Sequence, residues 1–280
     1  MVQLELFDLK RHRPAAERFI RLFKISDDAP SLNHLCTILQ AFAHLPYENL
    51  SKIIKLHQRG SDSPFRFPEE VISDHELYKL GGTCFSLTFT LKSILDYYGY
   101  QTSILMADMK AGPNSHCLLL LDFEGRQYLL DPGYLIQHPL PLSDLTATAG
   151  IRLNYSPDTR RYELFTAERQ QFRWRYSFVK EPVSLDKFVQ LWQESFHWFS
   201  MHGICLSRRD EAGFLYIHNH YIKKISPGEY LKGNFSEDIA ELIRRYFQIE
   251  PEVVEQAQKM LRDNLYYDKG KGYRVPGWVR

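Results

Sequence analysis

Apolar positions along this chain fall into two kinds of spacing. Near the N-terminus they recur every three to four residues, the period of an amphipathic helix. Ala15 to Phe23 carries Phe19, Ile20, Leu22 and Phe23, and Leu32 to Leu45 carries Leu32, Leu35, Cys36, Leu39 and Phe42 on one stripe. Ser31 can cap the second of these helices and Pro46 can stop it. A polar stretch, Gln58 to Pro68, leads to a further helix predicted over Glu69 to Leu80. After Gly81-Gly82-Thr83-Cys84, the residues Leu87, Leu91, Ile94, Leu95 and Tyr98 again stand at helical spacing, and Gly99 is a good terminator. Cys84 is thereby predicted at or near a helix N-terminus.

Beyond Gly99 the pattern changes. Gln101 to Ala107 is short and alternating, and the apolar runs His116 to Phe123 and Gln127 to Asp131 flank Glu124-Gly125 as the arms of a hairpin. Further strands are expected around Arg161 to Phe165 and Phe172 to Val179, and a helix near Leu185 to Phe196. A second hairpin is expected over Ile204 to Ile217, turning near Asp210 to Gly213 and pairing with His220 to Ile225. Ser236 is expected to cap a last helix from Glu237 to Tyr246. Strand and helix do not alternate regularly, which argues against a doubly wound sheet. The expected fold class is α+β, with a helical N-terminal part, a strand-rich middle and a mixed C-terminal part.

Composition narrows the function. Of 280 residues, 44% are hydrophobic and 25% charged, as in ordinary globular proteins. A net charge of +1 without a basic stripe gives no footprint for a nucleic-acid partner. The tail Lys269 to Arg280 is basic but interrupted by Gly, Tyr and Pro, and reads as a solvated tail or a docking strand. The opening residues lack the apolar core of a signal peptide, and the longest strongly apolar run, Cys117 to Leu121, is too short to span a bilayer. A cytoplasmic protein without a membrane partner is therefore expected. Cys36, Cys84, Cys117 and Cys205 include no C-x-x-C pair, which disfavours a disulfide framework or structural zinc. His197 with His202, and His218 with His220, have no matching carboxylate or cysteine spacing, so no metal is expected. The aromatics Trp192, Phe196, Trp198 and Phe199 either line a pocket or pack a helix, and Ser115 has no G-x-S-x-G context for a serine hydrolase.

One cysteine stands apart. The glycines before Cys84 permit a sharp turn, and a helix N-terminus favours a thiolate through its partial positive charge and free N–H groups. The same pattern is also met by a buried cysteine behind a glycine helix cap. In the hairpin, a two-residue turn at Glu124-Gly125 sets Phe123 opposite Arg126 and Leu118 opposite Asp131. His116 then shares a face with Leu118 and becomes the diagonal neighbour of Asp131. A carboxylate in that place orients the imidazole and stabilises its protonated form. A satisfied core histidine beside a strand-end carboxylate gives the same arrangement. Cysteine, histidine and carboxylate together are the parts that activate a thiol nucleophile.

At these residues the chain resembles the arylamine N-acetyltransferase family. Leu45-Pro46-Tyr47-Glu48-Asn49-Leu50 is similar to its "PFENL" signature, and Gly81-Gly82-Thr83-Cys84-Phe85 to its "RGG-x-C" nucleophile motif. His116 with Tyr128-Leu129-Leu130-Asp131-Pro132-Gly133-Tyr134 resembles "H…YLVDVGFG", and His138-Pro139-Leu140-Pro141-Leu142 the proline-bearing stretch that follows. Weaker likeness runs through Tyr176-Ser177-Phe178 and Leu185 to His197, so that the resemblance covers roughly residues 15 to 250. It implies a helical bundle over 1–99 carrying the nucleophile, a β-barrel-like domain over 100–200 and an α/β lid over 201–280, around a cysteine-protease-like catalytic core. It also implies two-step transfer of an acetyl group from acetyl-CoA, as co-substrate, to a small-molecule arylamine or hydrazine. Cys84 would be the nucleophile, His116 the base and acid, and Asp131 the orienting carboxylate. Glu48 and Asn49 would tie a loop in place.

The chain also departs from the pattern. Leu80 stands where the motif has arginine, with Lys79 before it, and Ser86 and Thr88 replace the Glu and Asn that follow the cysteine. Pro132 and Tyr134 replace Val and Phe. These departures leave the three candidate residues intact but open the question of donor and acceptor. Amide synthases that resemble the same family take a thioester donor other than acetyl-CoA, so the alternatives are an amide synthase or thiol hydrolase on the same scaffold and, from another class, a non-catalytic binding module.

Overall fold

The computed structural model describes residues 4–58, 64–148, 150–169, 171–210 and 213–279. Residues 59–63 of the polar stretch and 211–212 of the expected second turn lie outside them. Packing divides the chain into two compact units that do not follow chain order. One combines His44–Leu87 with Gln190–Arg280, the other Gln3–Ala43 with Thr88–Val189.

In the second unit, helices α1 (Arg13–Phe23) and α2 (Leu32–Phe42) precede an antiparallel sheet. Ser31 caps α2, its Oγ accepting from His34 N at 3.1 Å. The helix ends at Phe42, earlier than the stop expected at Pro46. The sheet holds eight strands: β2 (Gln101–Met109), β3 (Gly112–Phe123), β4 (Arg126–Leu130), β5 (Leu140–Pro141), β6 (Leu145–Thr148), β7 (Ile151–Ser156), β8 (Arg161–Glu168) and β9 (Gln171–Phe178). Their order is β5-β4-β3-β2-β9-β8-β7-β6, so the two edge strands are neighbours in sequence, and Thr146 Oγ1 donates to Pro141 O at 2.7 Å. The sheet is thereby curled into a nearly closed barrel, which limits its exposed edges. Alternate residues point inward, and Leu105, Leu118, Leu120, Leu129, Leu153, Leu164, Tyr176 and Phe178 form one buried cluster. On β3 every residue from His116 to Leu121 is buried, because both faces are covered, which explains its unbroken apolar run. Strands β5 to β7 lie outside the elements expected from the sequence; β5 and β6 are short and carry little alternation, whereas β7 alternates Ile151, Leu153 and Tyr155 with polar residues.

In the first unit, β1 (Tyr47–Glu48) edges a five-stranded antiparallel sheet with β10 (Cys205–Asp210), β11 (Gly213–His218), β12 (Tyr221–Ser226) and β13 (Glu229–Asn234). Leu206, Leu215, Ile217 and Ile222 line its buried face. Helices α3 (Leu50–His57) and α4 (Pro68–Tyr78) follow β1. Helix α5 (Cys84–Tyr97) begins in this unit and continues into the other, and α6 (Leu185–Glu194) crosses the same division in reverse. Two expectations at the C-terminal end are corrected. Helix α7 (Ile239–Phe247) is capped by Asp238, whose Oδ1 accepts from Ala240 N at 2.7 Å and Glu241 N at 3.2 Å, rather than by Ser236. A carboxylate two residues closer to the first helical turn reaches these amides directly. A longer helix, α8 (Pro251–Gly270), comes after it, with Pro251 in its first turn and Val254, Ala257, Leu261 and Leu265 buried. The tail is largely solvated, as one of the two expected readings has it, and forms no strand; it is anchored at Val279, which is buried and whose carbonyl accepts from Lys269 Nζ at 3.0 Å, and at Tyr273, which stacks on His197.

Candidate active site

The hairpin forms with the expected register. Phe123 pairs with Arg126 and Leu119 with Leu130, across a turn whose Glu124 and Gly125 both have positive φ, 50° and 72°. Two left-handed residues in a two-residue loop match the twist of the strands. The consequence is chemical. His116 Nε2 lies 3.0 and 3.1 Å from the two Asp131 carboxylate oxygens. His116 is 3% exposed and Asp131 fully buried.

Burying a carboxylate is costly unless its oxygens are all engaged. Asp131 meets that condition with two further donors: Tyr134 N at 3.0 Å to Oδ1, and the Tyr176 hydroxyl at 2.6 Å to Oδ2. The first closes a turn at Asp131-Pro132-Gly133-Tyr134, so Pro132, which has no N–H, sits where none is needed. Burial, then the Asp131 charge and the hydrogen bond to it, hold the Tyr176 phenol well above its ordinary range, so it remains a donor. The Tyr134 ring meets the His116 ring edge-on at 5.3 Å, and the Tyr176 ring lies 5.0 Å away. Both tyrosines were missed as parts of a site. Strand parity was the available signal for Tyr176, since it shares the inward face of β9 with Phe178.

Cys84 is the first residue of α5 and is 8% exposed. The glycines before it are needed for close approach, and neither has positive φ. A Cβ on Gly81 would run into the Pro46 carbonyl oxygen, and one on Gly82 into Ser86 Oγ. Gly82 N donates to Pro46 O at 3.2 Å and Gly82 O accepts from Glu48 N at 3.0 Å. Glu48, fully buried, accepts from Ser51 N at 2.9 Å and Gly81 N at 3.3 Å. Asn49 donates to Ser200 O and Gly203 O and accepts from Cys205 N. The Glu48-Asn49 pair thus ties backbone segments together. Ser86 Oγ donates to Thr83 O at 3.1 Å, a local bond in the first turn of α5.

The remaining candidates separate from this chemistry. Burial pushes the Cys205 thiol up to about 11 and raises Cys36 as well, which disfavours thiolate at either. His197 is paired with Asp268 at 3.0 Å, and burial lowers both His202 and His218. Among the described residues no group of three or more His, Cys, Asp or Glu side chains could hold a metal ion. Trp192 and Phe196 are packed, with Phe85 stacked on Trp192 at 6.1 Å, whereas Phe199 is 74% exposed. Among the described residues no helix is long and apolar enough to cross a membrane.

No match is found among curated protein sequences. Solved structures do match, and their low identities make the likeness one of fold. An arylamine N-acetyltransferase from Mycobacterium abscessus has a TM-score of 0.72 at 17% identity, covering 88% of this chain and 94% of that one. Arylamine N-acetyltransferase C from Bacillus anthracis gives 0.66 at 20% identity, covering 84% and 98%. An enzyme from Bacillus cereus, described as having a unique Cys-His-Glu catalytic triad, gives 0.63 at 18% identity, covering 84% and 98%. The sequence model described as N-acetyltransferase matches residues 31–255, most of the chain. With its barrel-like sheet and helices built as in those structures, this chain belongs to the arylamine N-acetyltransferase family and is an acyltransferase.

Proposed function

We propose that the enzyme transfers an acetyl group from acetyl-CoA to an arylamine or hydrazine in the cytoplasm, through a thioester on Cys84. The observation that carries this reading is the buried His116–Asp131 pair, held by Tyr134 N and Tyr176. With Nε2 engaged by Asp131, Nδ1 is the nitrogen assigned to the thiol. His116 takes the Cys84 proton, and the thiolate attacks the donor carbonyl carbon. Backbone N–H groups at the head of α5 are the candidates to stabilise the oxyanion. As the C–S bond to CoA breaks, His116 returns the proton to the departing sulfur. In the second half, His116 accepts a proton from the attacking amine, the C–S bond to Cys84 breaks as the amide forms, and His116 returns that proton to the departing Cys84 sulfur. Asp131 stabilises the imidazolium in both halves. One further contact supports bringing Cys84 to this pair: Thr88, one turn along α5, donates to the carbonyl of Cys117, the neighbour of His116, at 3.2 Å.

The resemblance also leads us to assign residues 1–99 to a bundle, 100–200 to the barrel-like domain and 201–280 to a lid, around a cysteine-protease-like core. Intact-mass measurement after incubation with acetyl-CoA tests the chemistry. A gain of one acetyl group, located on Cys84 and discharged by an arylamine, is the expected result. A folded protein that never acquires the adduct overturns the acetyl-CoA reading, and an adduct with another acyl thioester would favour an amide-synthase-like donor.

A further inference from the structure

The turn that presents Cys84 is held by a side chain from elsewhere in the sequence. Gly81 has one backbone donor and one acceptor, and both are occupied. Its N–H is taken by Glu48 Oε1 at 3.3 Å, and its carbonyl accepts from Arg66 NH1 at 2.6 Å. The same guanidinium reaches Ser51 Oγ at 2.6 Å and Asp74 Oδ2 at 2.6 Å, and stands 3.7 Å from Glu48 Oε1. Arg66 is 3% exposed and Glu48 fully buried. The residue directly before Gly81-Gly82 is Leu80, which is buried and carries no charge. A planar fork of five donors serves several acceptors at fixed angles, which a lysine ammonium cannot do.

We propose that Arg66, fifteen residues upstream of Gly81, is the positioning residue for the nucleophile turn. The proposal rests on Cys84 being the nucleophile. Its physical content is that Arg66 and Glu48 clamp the Gly81 peptide from both sides. That clamp sets the direction in which Gly82-Thr83-Cys84 enters α5, and with it the aim of the sulfur and of the N–H groups at the helix head. A shift of about 1 Å in such a group can cost about 100-fold in rate.

The test compares the full-length enzyme with Arg66→Leu and Arg66→Lys. Each is measured for unfolding by urea, for Cys84 alkylation by iodoacetamide across pH, and for acetyl transfer. In Arg66→Leu, alkylation at neutral pH is expected to slow at least about tenfold and its pH profile to move to higher pH, as the helix-head contribution to the thiolate is lost. kcat is expected to fall by about 100-fold, with KM for the amine changed much less. Arg66→Lys keeps the charge and is the variant to read if Arg66→Leu does not fold. A folded Arg66→Lys or Arg66→Leu enzyme with the wild-type alkylation profile and kcat overturns the proposal. A stability loss with both of those unchanged also overturns it, because it makes Arg66 merely structural. Failure of the wild-type enzyme to form any Cys84 adduct would instead remove the reading on which it rests.

Discussion

Two halves of the proposed chemistry are built in opposite ways. His116 and Asp131 belong to adjacent strands joined by a two-residue turn, so a short stretch of chain makes the pair. Around Cys84 the supports come from Pro46, just before β1, Glu48 in β1, Ser51 in α3, Arg66 between α3 and α4, and Asp74 in α4. The hairpin is rigid because register leaves its two faces no alternative. The nucleophile turn is rigid because buried charges and backbone groups would be left unsatisfied if it moved. A local device tolerates change elsewhere in the molecule, whereas a convergent one depends on each of several distant residues.

This contrast can be broken at either end. The largest effect is expected from His116→Ala, which removes the proposed proton acceptor. Steady-state transfer should fall on the order of 10⁴-fold or more while urea unfolding shows a folded protein. Asp131→Asn keeps the shape of the pair but not its charge, and a loss approaching about 10⁴-fold in kcat is expected, measured in the same assay. Retention of more than a tenth of the activity would show that the hairpin pair is not the catalytic base.

On the other side, Gly81→Ala drives a methyl group into the Pro46 carbonyl. Urea unfolding should report a loss of about 3–4 kcal/mol, and no loss would mean that the turn is slacker than its packing implies. His75 tests the same region by pH. Its ring contacts Leu80 O at 3.0 Å, and burial lowers it from 6.5 to about 4. A group lowered on folding contributes stability that is present above its unfolded value and lost as pH falls through its folded one. Stability should therefore drop by about 3 kcal/mol between pH 6.5 and 4, and a His75→Gln enzyme should show a shallower acid slope. The smallest effect is expected from Tyr176→Phe, which takes one donor from a buried carboxylate. About 2 kcal/mol of stability should be lost, together with about tenfold in kcat, and an unchanged kcat would confine Tyr176 to packing.

The helices α1, α2 and α5, the hairpin of β3 and β4, and the facing of His116 toward Asp131 were readable because each depends on neighbours within one or two turns of chain. The family followed from motifs at those places. Strands β5 and β6 escaped because they are short and carry little alternation, whereas β7 does alternate Ile151, Leu153 and Tyr155 with polar residues, and α8 has Val254, Ala257, Leu261 and Leu265 at helical spacing, so both were legible and went unread. Asp238 and Ser236 compete for one cap, and only backbone geometry selects between them.

Sequence alone thus nominated the residues proposed for the chemistry and determined which strand face His116 and Asp131 occupy, since period, turn and register are short-range properties. Tertiary structure decided what holds those residues still: Tyr176 and Tyr134 N on the carboxylate, Arg66 and Glu48 on the Gly81 peptide. Those partners are chosen by the need to satisfy buried polar groups, and the residue that satisfies one can come from anywhere along the chain that folding brings within reach.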